Sequence, residues 1–241
     1  MDANTLFLRL EGPLQSWGEL ALGDYRSTAA IPTASALVGL LANALGWERE
    51  RDEARLVALA RALRCGVRID RPGWRYTDYH LISTGLPDAR GRLKKLYGRV
   101  LTGVTFREYL VGASFLAAVQ FGSESTEDDL PSVAELAAAV ERPARVLVLG
   151  RRSCLPSVPI FAGVGTFASL AEALATQSAP AARTRDETVP ASVFVELAAE
   201  IETPTPGLYT ARHADRLLSA SARAFGPRWT ERTRVRVPLA P

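Results

Sequence analysis

Near the start of the chain, Leu6, Leu8 and Leu10 alternate with Phe7 and Arg9, so an extended segment there carries apolar side chains on both faces. Successive strand side chains point to opposite faces, and this pattern predicts a first strand buried on most of both sides. Beyond it, Leu37, Leu40, Leu41, Ala44 and Leu45 form one stripe at helical spacing, with Val38 and Gly39 adding a second packing surface. Thr33 or Ser35 can cap this helix, because a hydroxyl oxygen accepts from an otherwise unpaired amide, and Gly46 can end it. Residues 52–64 repeat the helical pattern with Leu56, Leu59, Ala60 and Leu63 inward and Arg55 outward. VRID at 67–70 then reads as a short strand closed by Pro72-Gly73.

From 113 to 121, Phe115, Ala117, Val119 and Phe121 occupy one face and Leu116, Ala118 and Gln120 the other, which predicts a central strand. Asp129 and Pro131 open a helix in which Val133, Leu136, Ala137 and Val140 share a face, stopped before Pro143. VLVLG at 146–150 supplies a last strand of this half. The order strand, helix, strand, strand, helix, strand is that of ferredoxin-like and RNA-recognition domains, although periodicity alone also allows other α+β folds. The segment 77–111 interrupts it with weak core periodicity and with Gly85, Gly91, Gly98 and Gly103. A structureless loop of that length is uncommon inside a compact domain unless it is functional. Its strand-like ends, DYHLIS and VTFREYLV, predict a long hairpin projecting from the body. After 155 the pattern loosens: PSVPIFAGVG reads as loop, 167–175 as a short helix, and ASVFVELA at 191–198 and TRVRVPL at 233–239 as strands. The expected organisation is an α+β chain with a ferredoxin-like domain over 1–154 and a smaller β-rich part over 155–241 packed on it.

At 241 residues with 47% hydrophobic composition the chain can bury a normal globular core. No run of 18 uncharged apolar residues occurs, and MDANTLFLRL has an acid at Asp2 and no basic stretch ahead of its apolar residues, so a soluble cytoplasmic chain is expected. Cys65 and Cys154 lie far apart, in no metal-like spacing, and read as small buried hydrophobes. A formal net charge of +3 does not by itself argue for nucleic acid, since many ordinary enzymes carry as much. Its distribution says more. Lys94 and Lys95 share a segment with Arg90, Arg92 and Arg99, and a second cluster holds Arg223, Arg228, Arg232, Arg234 and Arg236, which reads equally as a solvated face.

Three short motifs carry candidate chemistry. In GPLQSWG at 12–18, an exposed-looking Gln15, Ser16 and Trp17 follow a strand end, where loops carry function; Trp17 fits equally as a core anchor. Arg26 and Thr28 lie just ahead of the helix at Thr33, whose first amides form a natural anion site. In VTFREYLV, regular alternation puts Thr105, Arg107 and Tyr109 on one face and Phe106 and Leu110 on the other. An arginine beside an aromatic can grip a phosphate and stack a base, or Tyr109 can pack in the core while Arg107 pairs Glu108 or Asp78. LGRRSC places Arg151, Arg152 and Ser153 after a glycine that lets the backbone approach a ligand. The two histidines are His80 and His213, and no nucleophile elbow, phosphate-binding loop, zinc motif or paired-carboxylate arrangement appears; Gly163-Val164-Gly165 lacks the rest of a dinucleotide fingerprint. No cofactor or metal is expected.

GPLQSWG, Arg26, Thr28 and PTASALVGLL at 32–41, with DYH at 78–80, REYL at 107–110 and LGRRSC at 149–154, resemble in order and spacing the CasD family of the RAMP superfamily. Members are the subunits of type I-E CRISPR Cascade that hold the 5′ end of the guide RNA. Gly112 stands where the family usually has Asp, and Val148 and Leu155 replace a common Tyr and Pro. The resemblance implies a non-catalytic RNA-binding subunit that caps the guide's 5′ handle, with its hairpin as the family's thumb. The implied RNA-binding residues are Gln15, Trp17, Arg26, Tyr79, His80, Lys94, Lys95, Arg107, Tyr109, Arg151, Arg152 and Ser153. The implied partners are the guide RNA, the backbone CasC subunit and the large CasA subunit, with target DNA engaged indirectly through the complex. The alternative is a metal-independent endoribonuclease using His80 beside Tyr79 and Lys94, as in some RAMP relatives.

Overall fold

The apolar alternation at the N-terminus forms β1 (Thr5–Glu11), with Leu6, Phe7, Leu8 and Leu10 all buried. The computed structural model describes residues 3–22, 24–83, 102–122, 129–180, 188–196 and 209–239. After β1 come β2 (Leu14–Gln15), β3 (Gly18–Leu22), β4 (Tyr25–Thr28), α1 (Ala34–Ala44), α2 (Glu53–Ala62), β5 (Leu63–Arg71) and β6 (Trp74–Ser83). They are followed by β7 (Thr102–Val111), β8 (Ser114–Phe121), α3 (Val133–Glu141), β9 (Phe161–Gly165), α4 (Leu170–Thr176), β10 (Thr188–Glu196), β11 (Tyr209–Ser219) and β12 (Ala224–Pro238).

The larger sheet runs β11-β12-β10-β5-β8-β1-β9 with antiparallel neighbours throughout. β8 and β1, the fifth and sixth of its seven strands, are buried on both faces, as their continuous apolar sequences require. One face is covered by α1 and α3, whose buried Leu37, Leu41, Leu136 and Val140 meet Leu6, Leu8 and Phe115. The other is covered by α4, where Leu170, Ala173 and Leu174 pack on Phe7 and Leu116. Each fully buried Leu or Phe contributes about 1.5–3 kcal/mol.

Hydroxyls cap both α1 and α3, Thr33 as expected and Ser132 in place of the expected start at Asp129 and Pro131. Thr33 accepts from Ala36 N at the start of α1, and Gly46 follows its end with φ +78. Ser132 and Glu135 close a reciprocal capping box on α3. At the end of α4, the fully buried Arg68 pairs with Asp70 and donates to the carbonyls of Leu174, Gln177 and Ser178, satisfying acceptors that a helix end leaves open.

VLVLG at 146–150 is not the expected fourth strand. Its alternation is real, with Leu147 and Leu149 buried and Val146 exposed, but Leu149 N bonds Cys154 O within its own turn and Leu149 O accepts from Ser16 N. The edge place beside β1 goes to β9, from the FAGVG segment read as loop; its two glycines dilute the strand signal, and the ladder shifts register between Leu6 and Leu8.

In the C-terminal portion, β10 adds to β5, and the long β12 pairs with both β10 and β11, so these strands continue the larger sheet. The second sheet runs β2-β7-β4-β3, with β6 along the other edge of β7. β6 and β7 pair antiparallel from Trp74↔Val111 to Ser83↔Thr102, which is the predicted hairpin; its segment 84–101, with Lys94 and Lys95, lies outside the described residues. Cys65 and Cys154 are buried free thiols, and burial pushes the Cys65 thiol up to about 12.

Candidate nucleic-acid interface

The first motif packs inward. Gln15, which the sequence leaves looking exposed, is 0% exposed and donates from Nε2 to the carbonyls of Leu10 (3.0 Å) and Ala113 (2.8 Å). Trp17 is likewise buried, in the cluster under α1, so of its two readings the core anchor is the one found. Its amide donates to the buried Thr28 hydroxyl at 2.8 Å. Ser16 N donates to Leu149 O at 3.0 Å, and Ser16 Oγ to Glu108 O at 3.2 Å. Gly150 completes the seam: with φ +97, a Cβ there would lie 1.7 Å from the Ser16 carbonyl oxygen. The glycine therefore admits another loop of the same chain, where the sequence suggested a ligand.

Arg151 knits the LGRRSC loop to the small sheet. Its Nη1 donates to Glu108 O (2.9 Å) and its Nη2 to Arg26 O (3.0 Å), while its guanidinium lies 4.7 Å from the centre of the Tyr109 ring. Tyr109 is consequently 4% exposed and offers no free face for a base. The alternation along β7 is as expected, with Thr105 and Tyr109 both buried, but their shared face is covered. Arg152 and Ser153 are exposed beside Arg151. Arg107 is half-buried, with a buried Nε that has no partner among the described residues, and it stands opposite Asp78 on one side and Arg26 on the other.

Tyr79 and His80 diverge because they are consecutive on a strand. Tyr79 is 57% exposed and meets Phe106 edge-on at 5.8 Å, and Tyr25 lies 6.4 Å from Phe106, giving an exposed aromatic cluster on one face. His80 points to the other face, its Nε2 2.6 Å from Asp78 Oδ2 without hydrogen-bond alignment. Beside the aromatic cluster, Glu108 accepts from the Tyr25 hydroxyl (2.6 Å), Thr28 N (3.2 Å) and Arg75 (2.7 Å). These bonds, led by that of Tyr25, hold its carboxyl below the usual range.

The face carrying Arg26 and Arg151 opens into a cleft of about 560 Å³ whose walls bring Arg49 and Arg223 together with them. Among the described residues, no aspartate or glutamate lines it. Guanidinium groups gathered around a concave surface without a described carboxylate suit the oxygens of a phosphate chain, and the concavity concentrates their field. Thr33, Ser35 and Asn43 add neutral polar groups from α1. The amides at the start of α1 are not the open anion site expected. Ala34 N donates to Asp215 Oδ2 at 2.9 Å, so the chain's own carboxylate sits there, bonded twice to Arg228 (2.8 and 2.7 Å). Arg49 was missed by sequence reasoning because it lies in the patternless turn after α1. Arg223 was visible there only as a member of a charged run.

Residues 5–234 match the family model described as CRISPR-associated protein (Cas_Cas5). The CRISPR system Cascade subunit CasD of Escherichia coli (strain K12) is 38% identical over 168 residues, 66% of this chain and 70% of that protein. Similar solved structures include a CRISPR RNA-guided surveillance complex, 29% identical with TM-score 0.68 over 97% of this chain and 91% of that one. Another, described as the crystal structure of Cas protein, is 30% identical with TM-score 0.69 over 98% and 99%. With a family match over nearly its full length and the same fold in both solved structures, the chain belongs to the Cas5 family of CRISPR-associated proteins.

Proposed function

We propose that this chain is a guide-RNA-binding subunit of a type I-E Cascade complex, which holds the 5′ handle of the CRISPR RNA and does not cut it. The observation that carries this reading is the acid-free cleft with Arg26, Arg49, Arg151 and Arg223 in its walls. The likeness to CasD of Escherichia coli, described as a Cascade subunit, supplies the assembly. The strand order β9-β1-β8-β5, with helices after the first and third of these strands in sequence, supports reading the body as a ferredoxin-like domain extended by the C-terminal strands. In this reading the β6–β7 hairpin is the thumb and the exposed ring of Tyr79, with those of Tyr25 and Phe106, is available to bases. The backbone CasC and large CasA subunits flank the chain in the cytoplasm, and target DNA is met through the complex. Among the described residues no helix is long and apolar enough to cross a membrane.

The nuclease alternative needs Tyr79 and His80 to act together, and their opposite faces disfavour it. The test is direct. Purified chain mixed with repeat RNA in EDTA should give no cleavage above background, and Arg26→Ala should weaken binding of the 5′ handle while leaving the melting temperature unchanged. Specific cutting abolished by His80→Ala would overturn the binding reading.

A further inference from the structure

The fourth arginine of the cleft arrives from the far end of the chain. β11 and β12 are joined by a tight connection, 220–223, whose Ala220 and Arg223 line the cleft with Phe225 just beyond them. Glu53, in the first turn of α2, clasps this tip. Its Oε1 accepts from Ser219 Oγ (2.6 Å), Ala220 N (3.1 Å), Ser221 N (3.2 Å) and Ser221 Oγ (2.9 Å). Those bonds, led by the Ser219 hydroxyl, bring its carboxyl down to about 2, so it accepts as a carboxylate at any working pH. Lower in the hairpin, Asp215 and Arg228 fasten the same two strands to the start of α1. The arm is thus fixed at two levels to the helices that form the cleft.

Arg223 is also the one non-glycine residue with positive φ among those described, at φ 52. Glycine or asparagine occupies such a turn position at lower cost, and a strained residue retained beside a cleft points to a need for its side chain. That side chain is exposed and lies in the same acid-free wall. Phe225, 45% exposed, places an aromatic ring next to it.

From this geometry we infer that the tip of the C-terminal hairpin is the second jaw of the guide-handle cleft, with Arg223 contacting an RNA phosphate and Glu53 serving as the residue that positions it. The inference rests on the RNA-binding reading above, and the experiment separates the two. Binding of a fluorescein-labelled single-stranded RNA carrying the repeat-derived 5′ segment is followed by anisotropy across a salt series. Arg223→Gly removes the guanidinium and relieves the left-handed backbone, so the melting temperature holds or rises. The Kd should rise about tenfold for one lost charge-assisted contact. The slope of log K against log salt should become shallower by about 0.7. Glu53→Ala should weaken binding in the wild-type background and have no further effect in the Arg223→Gly background, because it acts through the tip. Arg26→Ala, elsewhere in the cleft lining, is the reference. If Arg26→Ala weakens binding while Arg223→Gly changes neither affinity nor slope, the second jaw is refuted and the cleft stands. If neither changes, the RNA-binding reading fails. A further loss from Glu53→Ala in the Gly background would refute its positioning role.

Discussion

Gly150→Ala tests the seam between the two most distinctive loops. Gly150 has φ +97, well outside the left-handed basin near about +57° that side chains can enter at a cost. Forcing a non-glycine residue into such a region costs about 1–3 kcal/mol. The added Cβ would stand 1.7 Å from Ser16 O and 2.8 Å from the carbonyl carbon, both backbone atoms with no rotamer to change. Carbon-to-oxygen contacts begin at about 3.3 Å, so the loops must part by about 1.6 Å. That separation breaks the Ser16 N to Leu149 O bond of 3.0 Å, a loss of about 1 kcal/mol. The expected destabilisation is about 3 kcal/mol in all. Gly112 is the internal control: at φ +64 with nothing within 4 Å of a Cβ, its replacement by Ala carries the conformational cost alone, about 1 kcal/mol. Urea unfolding followed by far-ultraviolet circular dichroism measures both, with the m-value checked for constancy. RNA binding by Gly150→Ala at low temperature should also weaken, because Arg151 follows Gly150 directly and bonds Arg26 O, both residues lining the cleft. Equal losses below about 1 kcal/mol for the two variants would refute the argument.

Tyr109→Ala removes a buried ring and the surface on which Arg151 lies, so it should cost about 3 kcal/mol in chemical denaturation. Phe106→Ala on the exposed side of the same strand should stay within about 1 kcal/mol, and a reversed order of the two would show the faces to be misassigned. Acid should act through carboxyls whose folded values lie below their unfolded ones. For Asp215, burial acts upward, but its bonds to Arg228 and Ala34 N outweigh burial and leave the group lowered; the Glu53 carboxyl falls from 4.5 to about 2. Their stabilisation is therefore full above the ordinary carboxylate range and is lost as pH falls through the lowered values. Unfolding free energy should be level from neutrality to about pH 5 and decline below that, and Glu53→Gln should flatten the part of the decline between 4.5 and about 2. Asp215→Asn, by leaving Arg228 buried without its partner, should cost about 3–5 kcal/mol at neutral pH. Unchanged acid profiles in both variants would contradict the assignment.

The core was legible wherever one periodicity ran unbroken. β1, β8, α1 and α3 lie close to where their apolar spacing puts them, because burial on a sheet face or helix stripe selects those spacings directly. The misses share a cause: local pattern was overruled by a distant partner. VLVLG has the alternation of a strand, yet its backbone is claimed by Cys154 and Ser16, while FAGVG, with two glycines, is recruited by the open edge of β1. β11 has no clean alternation because it carries Asp215 inward, a charge made tolerable by Arg228 from β12 and an amide of α1. The site follows the same rule. Face assignment along β7 needed only the period of two, but whether that face met solvent depended on Arg151, which comes from a loop after α3 and covers Tyr109. Lys94 and Lys95, the clearest charge signal in the sequence, lie outside the described residues.

The division of labour that results has a physical logic. Residues that join two loops must satisfy several geometric conditions at once: Gln15 reaches two buried carbonyls, Gly150 makes room for Ser16, and Arg151 bridges β7 and β4. Few side chains can meet such conditions, so these positions form recognisable motifs even though Gln15 and Gly150 present no side chain to solvent. A cation that touches a flexible, charged chain through water-accessible oxygens needs only the right sign and reach. Arg49 and Arg223 can therefore sit in segments with no pattern at all, and only folding brings them into one cleft with Arg26. On this argument, exchanging Arg49 or Arg26 for Lys should preserve most of the salt-dependent binding. Exchanging Arg151 for Lys should not, because an ammonium cannot hold Glu108 O and Arg26 O in the planar fork that fixes the loop over Tyr109.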